Sequence, residues 1–336
     1  MTNVNSSGTS GKPKGLAFSH HNLIAQLLSI RAANPFLHNE HIPEAFLPSF
    51  SHIYGIVSAV LLLAWVGSYV QAMRKFNYMQ YLRRCAAMKA TVLRLVPAVA
   101  ARMVKDPEVR RLDFGCAQAA MCSGAALSDD GGVLNGYGMS ECKVTLLGET
   151  RTNKGASDGR PAAGVSVRIV DESVNDVEPG TDSECLVKGP TVFMEYKGNP
   201  SETQAAKTDG WLRSGDVVRA DEDGYFYLTG RRKEPIKFKG NQIAPAELEA
   251  VLLLHPQVAD AGVCGVKDKE LDTELLLDEK REELLEEVRE FVNARVASFK
   301  RLRERLVYME ALPKNTSGKL LRRHLTAKAT EMRRGR

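Results

Sequence analysis

The residues best suited to chemistry stand near the start of the chain, where residues 6–15 read SSGTSGKPKG. Glycine lets backbone N–H groups approach an anion closely, and hydroxyl and ammonium groups add donors and positive charge, so this composition suits a polyphosphate. The run differs from the Walker phosphate loop, because Pro13 follows Lys12 where that loop has Ser or Thr. The alternative is a flexible Ser/Gly linker. The candidate phosphate contacts are Ser6, Ser7, Gly8, Thr9, Ser10, Gly11 and Lys14.

Three later runs have a similar polar, glycine-containing character. They read SGAALS at 123–128, GYGMSE at 136–141 and PKNTSGK at 313–319. In this order, the runs resemble the signature motifs of the adenylate-forming enzymes, which comprise acyl-CoA synthetases, 4-coumarate–CoA ligases, luciferases and the adenylation domains of peptide synthetases. Only Ser-for-Thr changes separate residues 6–15 from the phosphate loop of that family. The resemblance covers nearly all 336 residues.

The family resemblance implies an α/β fold with two domains. Residues 1–232 are expected to form an AMP-binding domain of mixed sheets flanked by helices, without the N-terminal portion that family members carry. Residues 233–336 are expected to form a small, mobile α+β domain, with Lys233 at the hinge. The length is consistent with this division, because 336 residues suffice for two domains.

The resemblance also assigns the nucleotide contacts. Tyr137 would stack on adenine, and Ser140 would bond the α-phosphate. Glu141 would hold Mg²⁺, a hard cation that prefers carboxylate oxygen and stays bridged to substrate phosphates. Asp216 would accept hydrogen bonds from the ribose hydroxyl groups, and Arg231 would contact ribose and phosphate. The remaining nucleotide-binding positions are Gly124, Ala125, Gly136, Gly138 and Met139.

The activity implied by the resemblance is that of an ATP-dependent acyl-CoA ligase. A carboxylate attacks the α-phosphate of MgATP to give acyl-AMP and pyrophosphate; the small domain then rotates, and the thiol of CoA attacks the acyl-AMP. Lys319 would serve the first step, and His52 would lie at the acyl pocket. The positions for the second step are Lys237, Gln242, Lys239 and Gly240. The cofactors are thus ATP, Mg²⁺ and CoA, while the acid, aryl or fatty, stays open.

Several elements are expected to position these residues. Residues 16–34 are predicted to form a helix, because Leu23, Leu27 and Ile30 recur at helical spacing. The pair Asp223–Gly224 is a turn signal and predicts a hairpin. Further predicted elements are a strand over 43–55, a strand over 262–266 and a helix over 284–299.

One apolar stretch, residues 53–70, contains no charged residue. It approaches the shortest length that can span a bilayer. Because Gly55, Ser58 and Gly67 interrupt it, a buried helix of a large α/β core is the preferred interpretation, and a membrane span is the alternative. We therefore predict no integral membrane span.

The charge and cysteine patterns bear on partners and location. The net charge is +5, and no aromatic residues interleave with the basic run near the C-terminus, which argues against nucleic-acid binding. The six cysteines are scattered without a C-x-x-C pair, as is typical of reduced thiols in a cytoplasmic protein. A peroxisomal location is the alternative, although no SKL-type signal is present. The expected partner is a small-molecule carboxylic acid, and the oligomeric state stays open.

The chain departs from the family pattern at two internal places. Only residues 129–134 separate Ser128 from Asn135, and the connection between Lys267 and Leu277 is also short, so a helix and strands are expected to be missing. Exposed strand edges and apolar side chains would then make the protein only marginally stable. The affected side chains are Val133, Leu134, Val263 and Val266. An impaired fragment or a non-catalytic relative is one alternative function, and a luciferase-like activity is another.

Overall fold

The chain folds into two compact units, Met1–Leu228 and Thr229–Arg336. The structure, a computed structural model, describes residues 2–6, 14–41, 43–45, 50, 52–123, 133–148, 154, 157–232, 236–238, 241–265, 282–302, 306–314 and 320–334. Each unit has a hydrophobic core of its own. The fold is α/β, with mixed sheets flanked by helices in the first unit. The functional boundary after residue 232 stays a prediction.

The strands are short, and most lie in the first unit. In chain order they are β1 (Thr2–Ser6), β2 (Lys14–Phe18), β3 (Glu44–Ala45), β4 (Val70–Gln71), β5 (Val92–Leu95), β6 (Ala119–Ser123), β7 (Val133–Met139), β8 (Lys143–Leu147), β9 (Arg160–Pro161), β10 (Ser166–Val170), β11 (Ser183–Lys188), β12 (Glu195–Tyr196), β13 (Lys207–Thr208), β14 (Trp211–Ala220), β15 (Phe226–Arg231), β16 (Ile236–Phe238) and β17 (Asn241–Ile243).

Several of the helices begin at a side-chain cap. The helices are α1 (His20–Ala33), α2 (Ile53–Gly55, continued by the π-helical Ile56–Leu63 and by Ala64–Val66), α3 (Tyr78–Ala87), α4 (Pro97–Lys105), α5 (Pro200–Ala205), α6 (Pro245–Leu254), α7 (Glu282–Asn293) and α8 (Arg322–Arg334). At the start of α1, the N–H of Asn22 donates to Ser19 Oγ and the N–H of Ser19 donates to Asn22 Oδ1. Such a reciprocal cap satisfies two otherwise unpaired N–H groups.

The prediction of a helix over 16–34 is wrong at its start. Residues 16–18 belong to β2, which pairs antiparallel with β1 on one side and with β12 on the other. Leu16 and Phe18 are fully buried, so pairing and burial outweigh the helical pattern that begins at the Ser19 cap. The helix itself ends at Ala33.

The interpretation of residues 53–70 as a buried helix agrees with α2. Val57, Leu62 and Leu63 of this helix are buried in the main core. The helix stops where Gly67 adopts a left-handed conformation, with φ of 74°. Across the residues that the structure describes, every helix is too short or too polar to cross a membrane. Among the described residues of the strand predicted over 43–55, Glu44–Ala45 form a strand and α2 begins at Ile53; residues 46–49 and 51 lie outside the described residues.

A mixed sheet with the order β5-β6-β7-β8-β9 carries one of the polar motifs. Strands β5, β6 and β7 are parallel, and β8 and β9 run antiparallel to their neighbours. Only residues 124–132 connect β6 to β7, although parallel neighbours usually need about a dozen residues or more. The predicted internal shortening therefore falls on this connection, yet β7 keeps a partner on both edges.

A second sheet, with the order β10-β11-β14-β13 and β15 on β14, carries the predicted ribose contact Asp216 on β14. The hairpin predicted at Asp223–Gly224 is confirmed, because β14 and β15 flank it and Gly224 has φ of 77°. Asp221 shapes this turn, since its Oδ1 accepts from the N–H groups of Asp223 and Tyr225.

The second unit contains the hairpin of β16 and β17 and the helices α6, α7 and α8. The strand predicted over 262–266 is wrong in its described part, residues 262–265, which have no regular structure. Val263 was expected to be exposed at an unpaired strand edge. It is instead buried in a core with Leu248 and Val288, without pairing as a strand. Leu134 is half-buried, and the side chains of Val133 and Val266 lie outside the described residues.

Two arrangements of buried charge in the first unit bear on its stability, namely the Arg94–Glu44 ion pair and the ammonium group of Lys143. The guanidinium of Arg94 on β5 donates to Glu44 on β3, with Nε at 2.7 Å from Oε2 and Nη2 at 3.0 Å from Oε1. Both side chains are almost wholly inaccessible to solvent. The bidentate geometry offsets the cost of removing both charges from water.

Lys143 is the second buried charge. Its Nζ donates to the carbonyl oxygen of Thr191 at 2.7 Å and lies 3.8 Å from the centroid of the Phe18 ring. Burial lowers the pKa of this ammonium group to about 7, because desolvation disfavours the charged form.

We expect Glu44→Gln to lower the free energy of unfolding by about 3–5 kcal/mol, because Arg94 would stay buried without a counter-charge. Urea denaturation measures this change. The exposed pair Arg168–Asp176 provides the control, since Asp176→Asn should change stability by no more than about 1 kcal/mol. Equal effects of the two substitutions would contradict the expectation.

Lys143 predicts a pH dependence of stability. Its pKa of about 7 in the folded protein lies below the ordinary value of 10.5. Between these two pH values the unfolded chain binds more protons than the folded protein, so the free energy of unfolding rises with pH. Between about pH 7 and pH 8.5, the free energy of unfolding should increase by about 1 kcal/mol per pH unit. Denaturation at several pH values should show a flatter slope for Lys143→Met than for the wild type. The exposed Lys75→Met should keep the wild-type slope.

Candidate active site

The hairpin of β1 and β2 holds the two ends of the glycine-rich loop. Ser6, the last residue of β1, stands opposite Lys14, the first residue of β2. Five of the predicted phosphate contacts lie outside the described residues, namely Ser7, Gly8, Thr9, Ser10 and Gly11. The position of Lys14 is described, and its side chain is about three-quarters buried, with 25% of its surface exposed.

The GYGMSE motif, residues 136–141, spans the end of β7 and the turn into β8. Gly136, Tyr137, Gly138 and Met139 lie on β7, and Ser140 and Glu141 form the turn. A Cβ atom at Gly138 would lie 1.9 Å from the carbonyl oxygen of Lys143. Glycine is therefore required there by the backbone of the facing strand, where the register shifts by a bulge.

Lys14 and Glu141 meet at one tyrosine, Tyr196. The Tyr196 hydroxyl donates to Glu141 Oε1 at 3.0 Å, and Lys14 Nζ lies 5.0 Å from the centroid of the Tyr196 ring. Lys14 also forms an ion pair with Glu202 on α5, with Nζ 2.7 Å from Oε2. We call these residues, Lys14, Glu141, Tyr196 and Glu202, the lysine–glutamate cluster.

Asp216 on β14 accepts a hydrogen bond from the hydroxyl group of Tyr137 at 2.6 Å. Both side chains are buried. Burial, and then the charge of Asp216, raises the pKa of Tyr137 well above its ordinary value, so the phenol stays protonated and donates. The two residues predicted to bind adenine and ribose are thus brought together, with one carboxylate oxygen of Asp216 engaged by Tyr137.

The predicted residues of the second unit are described only in part. Lys237 on β16 and Gln242 on β17 face each other as register partners, and Arg231 ends β15 and is half-buried. The remaining predicted positions, Gly124, Ala125, Lys239, Gly240 and Lys319, lie outside the described residues.

His52 stands at the start of α2. Its Nδ1 accepts from the N–H of Tyr54 at 3.2 Å, which caps the helix. Its side chain is exposed. The described contact is a structural one, and a role at an acyl pocket stays a prediction.

Sequence reasoning missed two members of the lysine–glutamate cluster, Tyr196 and Glu202. The signal that could have indicated Tyr196 is weak, because β12 has only two residues and shows no alternation.

A divalent cation such as Mg²⁺ requires oxygen ligands. Within the described ranges, no group of three or more His, Cys, Asp or Glu side chains is arranged to hold a metal ion. A single carboxylate such as Glu141 is the kind of ligand that suits Mg²⁺, which takes its other ligands from water and substrate phosphates. The residues present therefore fit a nucleotide-bound Mg²⁺.

Two family models match the chain. The model of the AMP-binding enzyme family matches residues 5–197, and the model of the AMP-binding enzyme C-terminal domain matches residues 247–319. The first match includes the whole lysine–glutamate cluster except Glu202.

Curated relatives match along almost the whole chain. The peroxisomal OPC-8:0-CoA ligase 1 of Arabidopsis thaliana is 34% identical over 97% of this chain and 63% of its own length. The 4-coumarate-CoA ligase 1 of Narcissus pseudonarcissus is 32% identical over 98% of this chain and 65% of its own length. The chain thus spans slightly less than two thirds of these relatives. The first alignment runs over 355 positions, more than the 336 residues of this chain, so it includes positions that the chain lacks.

Solved structures share the fold. The ATP-bound RpMatB-BxBclM chimera B1 has a TM-score of 0.85 and 26% identity, covering 98% of this chain and 68% of its own. The o-succinylbenzoate CoA synthetase (MenE) from Bacillus subtilis, in complex with the acyl-adenylate intermediate OSB-AMP, has a TM-score of 0.81 and 27% identity, covering 96% of this chain and 68% of its own. By its two family-model matches and its relatives, the chain belongs to the AMP-binding enzyme family.

Proposed function

We propose that this protein is an ATP-dependent acyl-CoA ligase that activates a carboxylic acid as acyl-AMP and transfers it to CoA. The observation that carries the proposal is the contact of both Lys14 and Glu141 with Tyr196. This arrangement brings an ammonium group and a carboxylate to the same side chain, and binding of a polyphosphate and its divalent cation needs both groups. The names of the relatives, CoA ligases for OPC-8:0 and 4-coumarate, support the same reaction class.

The first step would take place at the lysine–glutamate cluster. Lys14 would exchange Glu202 for phosphate oxygens, and Glu141 would contribute a carboxylate ligand to Mg²⁺. The bound cation would supply charge stabilisation at the phosphates. Asp216 would contact the ribose, and Lys319 would approach the reacting carboxylate and α-phosphate. Charge placed in advance in this way lowers the barrier, because no reorganisation is needed as negative charge develops.

The second step would use the small domain. Lys237 and Gln242 lie opposite each other on a hairpin, so one element would carry both residues to the bound CoA. The proposed substrate is a small-molecule carboxylic acid, and the choice between an aryl and a fatty acid stays open. A cytoplasmic location is proposed from the cysteine pattern, and five of the six free cysteines are buried.

A catalytically impaired relative is the second candidate, and one observation favours it. Residues 124–132, which include Gly124 and Ala125 of the predicted adenine contact, make an unusually short connection between parallel strands. Such a chain could bind nucleotide and still fail to turn over. Pyrophosphate release with a panel of aryl and fatty acids separates the two candidates, because only the ligase releases it.

We expect Lys14→Ala to weaken ATP binding by about 1–3 kcal/mol, the range for loss of a hydrogen bond to a charged group. Glu202→Gln should have the opposite effect and tighten binding, because the amide no longer competes with phosphate for Lys14. Isothermal titration calorimetry measures both changes, with the exposed Lys75→Ala as the control. Unchanged affinity in both variants would reject the assignment of this loop to the phosphates.

We expect Lys319→Ala to separate the two steps. Formation of acyl-AMP, followed by pyrophosphate release, should fall by at least about a hundredfold, as when one charge-stabilising group is removed from a reacting centre. Thioester formation from synthetic acyl-AMP and CoA should stay near the wild-type rate. Equal loss of both steps would count against a role confined to the first step.

A further inference from the structure

We propose that Tyr196 is a positioning residue that holds the carboxylate of Glu141 in place for the Mg²⁺–nucleotide. The inference rests on the proposed function, since it concerns the same nucleotide. No role beyond a structural one follows from the sequence around Tyr196, and its importance is apparent only from its contacts.

Tyr196 is itself held from several sides. Its backbone pairs with Leu16 of β2, and its N–H donates to Thr203 Oγ1 at 2.9 Å. The ring packs against Phe193, with centroids 4.8 Å apart and planes tilted by 58°. A side chain restrained in this way presents its hydroxyl group in one direction, and little conformational entropy is lost when that group acts.

Glu141 is tied to the same segment at two points. Its carbonyl oxygen accepts from the N–H of Phe193 at 2.7 Å, and its Oε1 accepts from the Tyr196 hydroxyl at 3.0 Å. Only 8% of its surface is exposed. The hydroxyl is the donor and the carboxylate the acceptor, so this bond fixes the orientation of the Glu141 carboxylate.

The Tyr196 ring also contacts the ammonium group of Lys14. One side chain therefore sets the distance between the predicted metal ligand and the predicted phosphate ligand. The Tyr196 hydroxyl contacts the Glu141 carboxylate, and the Tyr196 ring contacts the Lys14 ammonium group. A substitution can therefore remove the hydroxyl contact and keep the ring contact. Groups that orient a metal-binding side chain in this way commonly affect metal affinity about tenfold or more.

The test is the Mg²⁺ dependence of ATP binding, measured by calorimetry on the full chain. Tyr196→Phe removes only the hydroxyl group, so the Mg²⁺ concentration for half-maximal enhancement of ATP binding should rise by roughly tenfold or more. ATP binding in EDTA should be unchanged, because the ring still contacts Lys14. Tyr227→Phe is the matched control, since the Tyr227 hydroxyl donates at 2.9 Å to the half-buried carboxylate of Asp221, in a hairpin turn outside the lysine–glutamate cluster.

A double-mutant cycle distinguishes positioning from general stability. If Tyr196 acts through Glu141, the variant Tyr196→Phe/Glu141→Gln should have the same Mg²⁺ dependence as Glu141→Gln alone. The melting temperature of Tyr196→Phe should stay within a few degrees of the wild type. Additive effects, an unchanged Mg²⁺ dependence or loss of the folded state in Tyr196→Phe would each overturn the positioning role while leaving the proposed function intact. If the wild type bound no ATP, both proposals would fall.

Discussion

Strand β2 is the constraint on which the candidate site depends, because it is hydrogen-bonded along both edges, to β1 and to β12. Leu16 and Phe18 point into the core and are fully buried. A slip of one residue would turn these side chains to the other face, so the register is strongly specified. The position of Lys14, at the start of the same strand, is therefore determined by apolar packing two and four residues away.

The two polar contacts of the site differ in what they require from the fold. The Tyr137–Asp216 hydrogen bond joins β7 and β14, which belong to different sheets, and it is buried. A buried carboxylate with a donor in place is stable only if both sheets keep their relative position. The Lys14–Glu202 ion pair is partly exposed and contributes little to stability. One contact thus holds the site together, and the other can exchange its partner at low cost.

The motif residues could be predicted from sequence because their types and order carry the chemistry. Lys14, Tyr137, Glu141 and Asp216 were predicted in this way, and their binding roles stay predictions. In the described structure, Tyr137 contacts Asp216, and Lys14 and Glu141 each contact Tyr196. The features that sequence reasoning missed depend on tertiary contacts. Residues 16–18 were assigned to a helix because a local pattern cannot show that a strand nearly two hundred residues later pairs with them. Val263 was expected to be exposed because the connection after it is short. It is buried by α6 and α7, and this tertiary packing leaves no periodic hydrophobic pattern in the sequence around Val263.

The pairing of β2 with β12 joins parts of the chain that are far apart in sequence, since Leu16 lies opposite Tyr196. Contacts of such long range form late, because the entropy of closing a large loop must be overcome before they contribute any energy. During synthesis, the glycine-rich hairpin leaves the ribosome long before its second partner strand is made. An unpaired edge of β2 is thus present in the nascent chain throughout that interval, and it is an edge onto which another extended chain could add. The two residues of β12 therefore contribute Tyr196 to the candidate site and also cover this edge of β2.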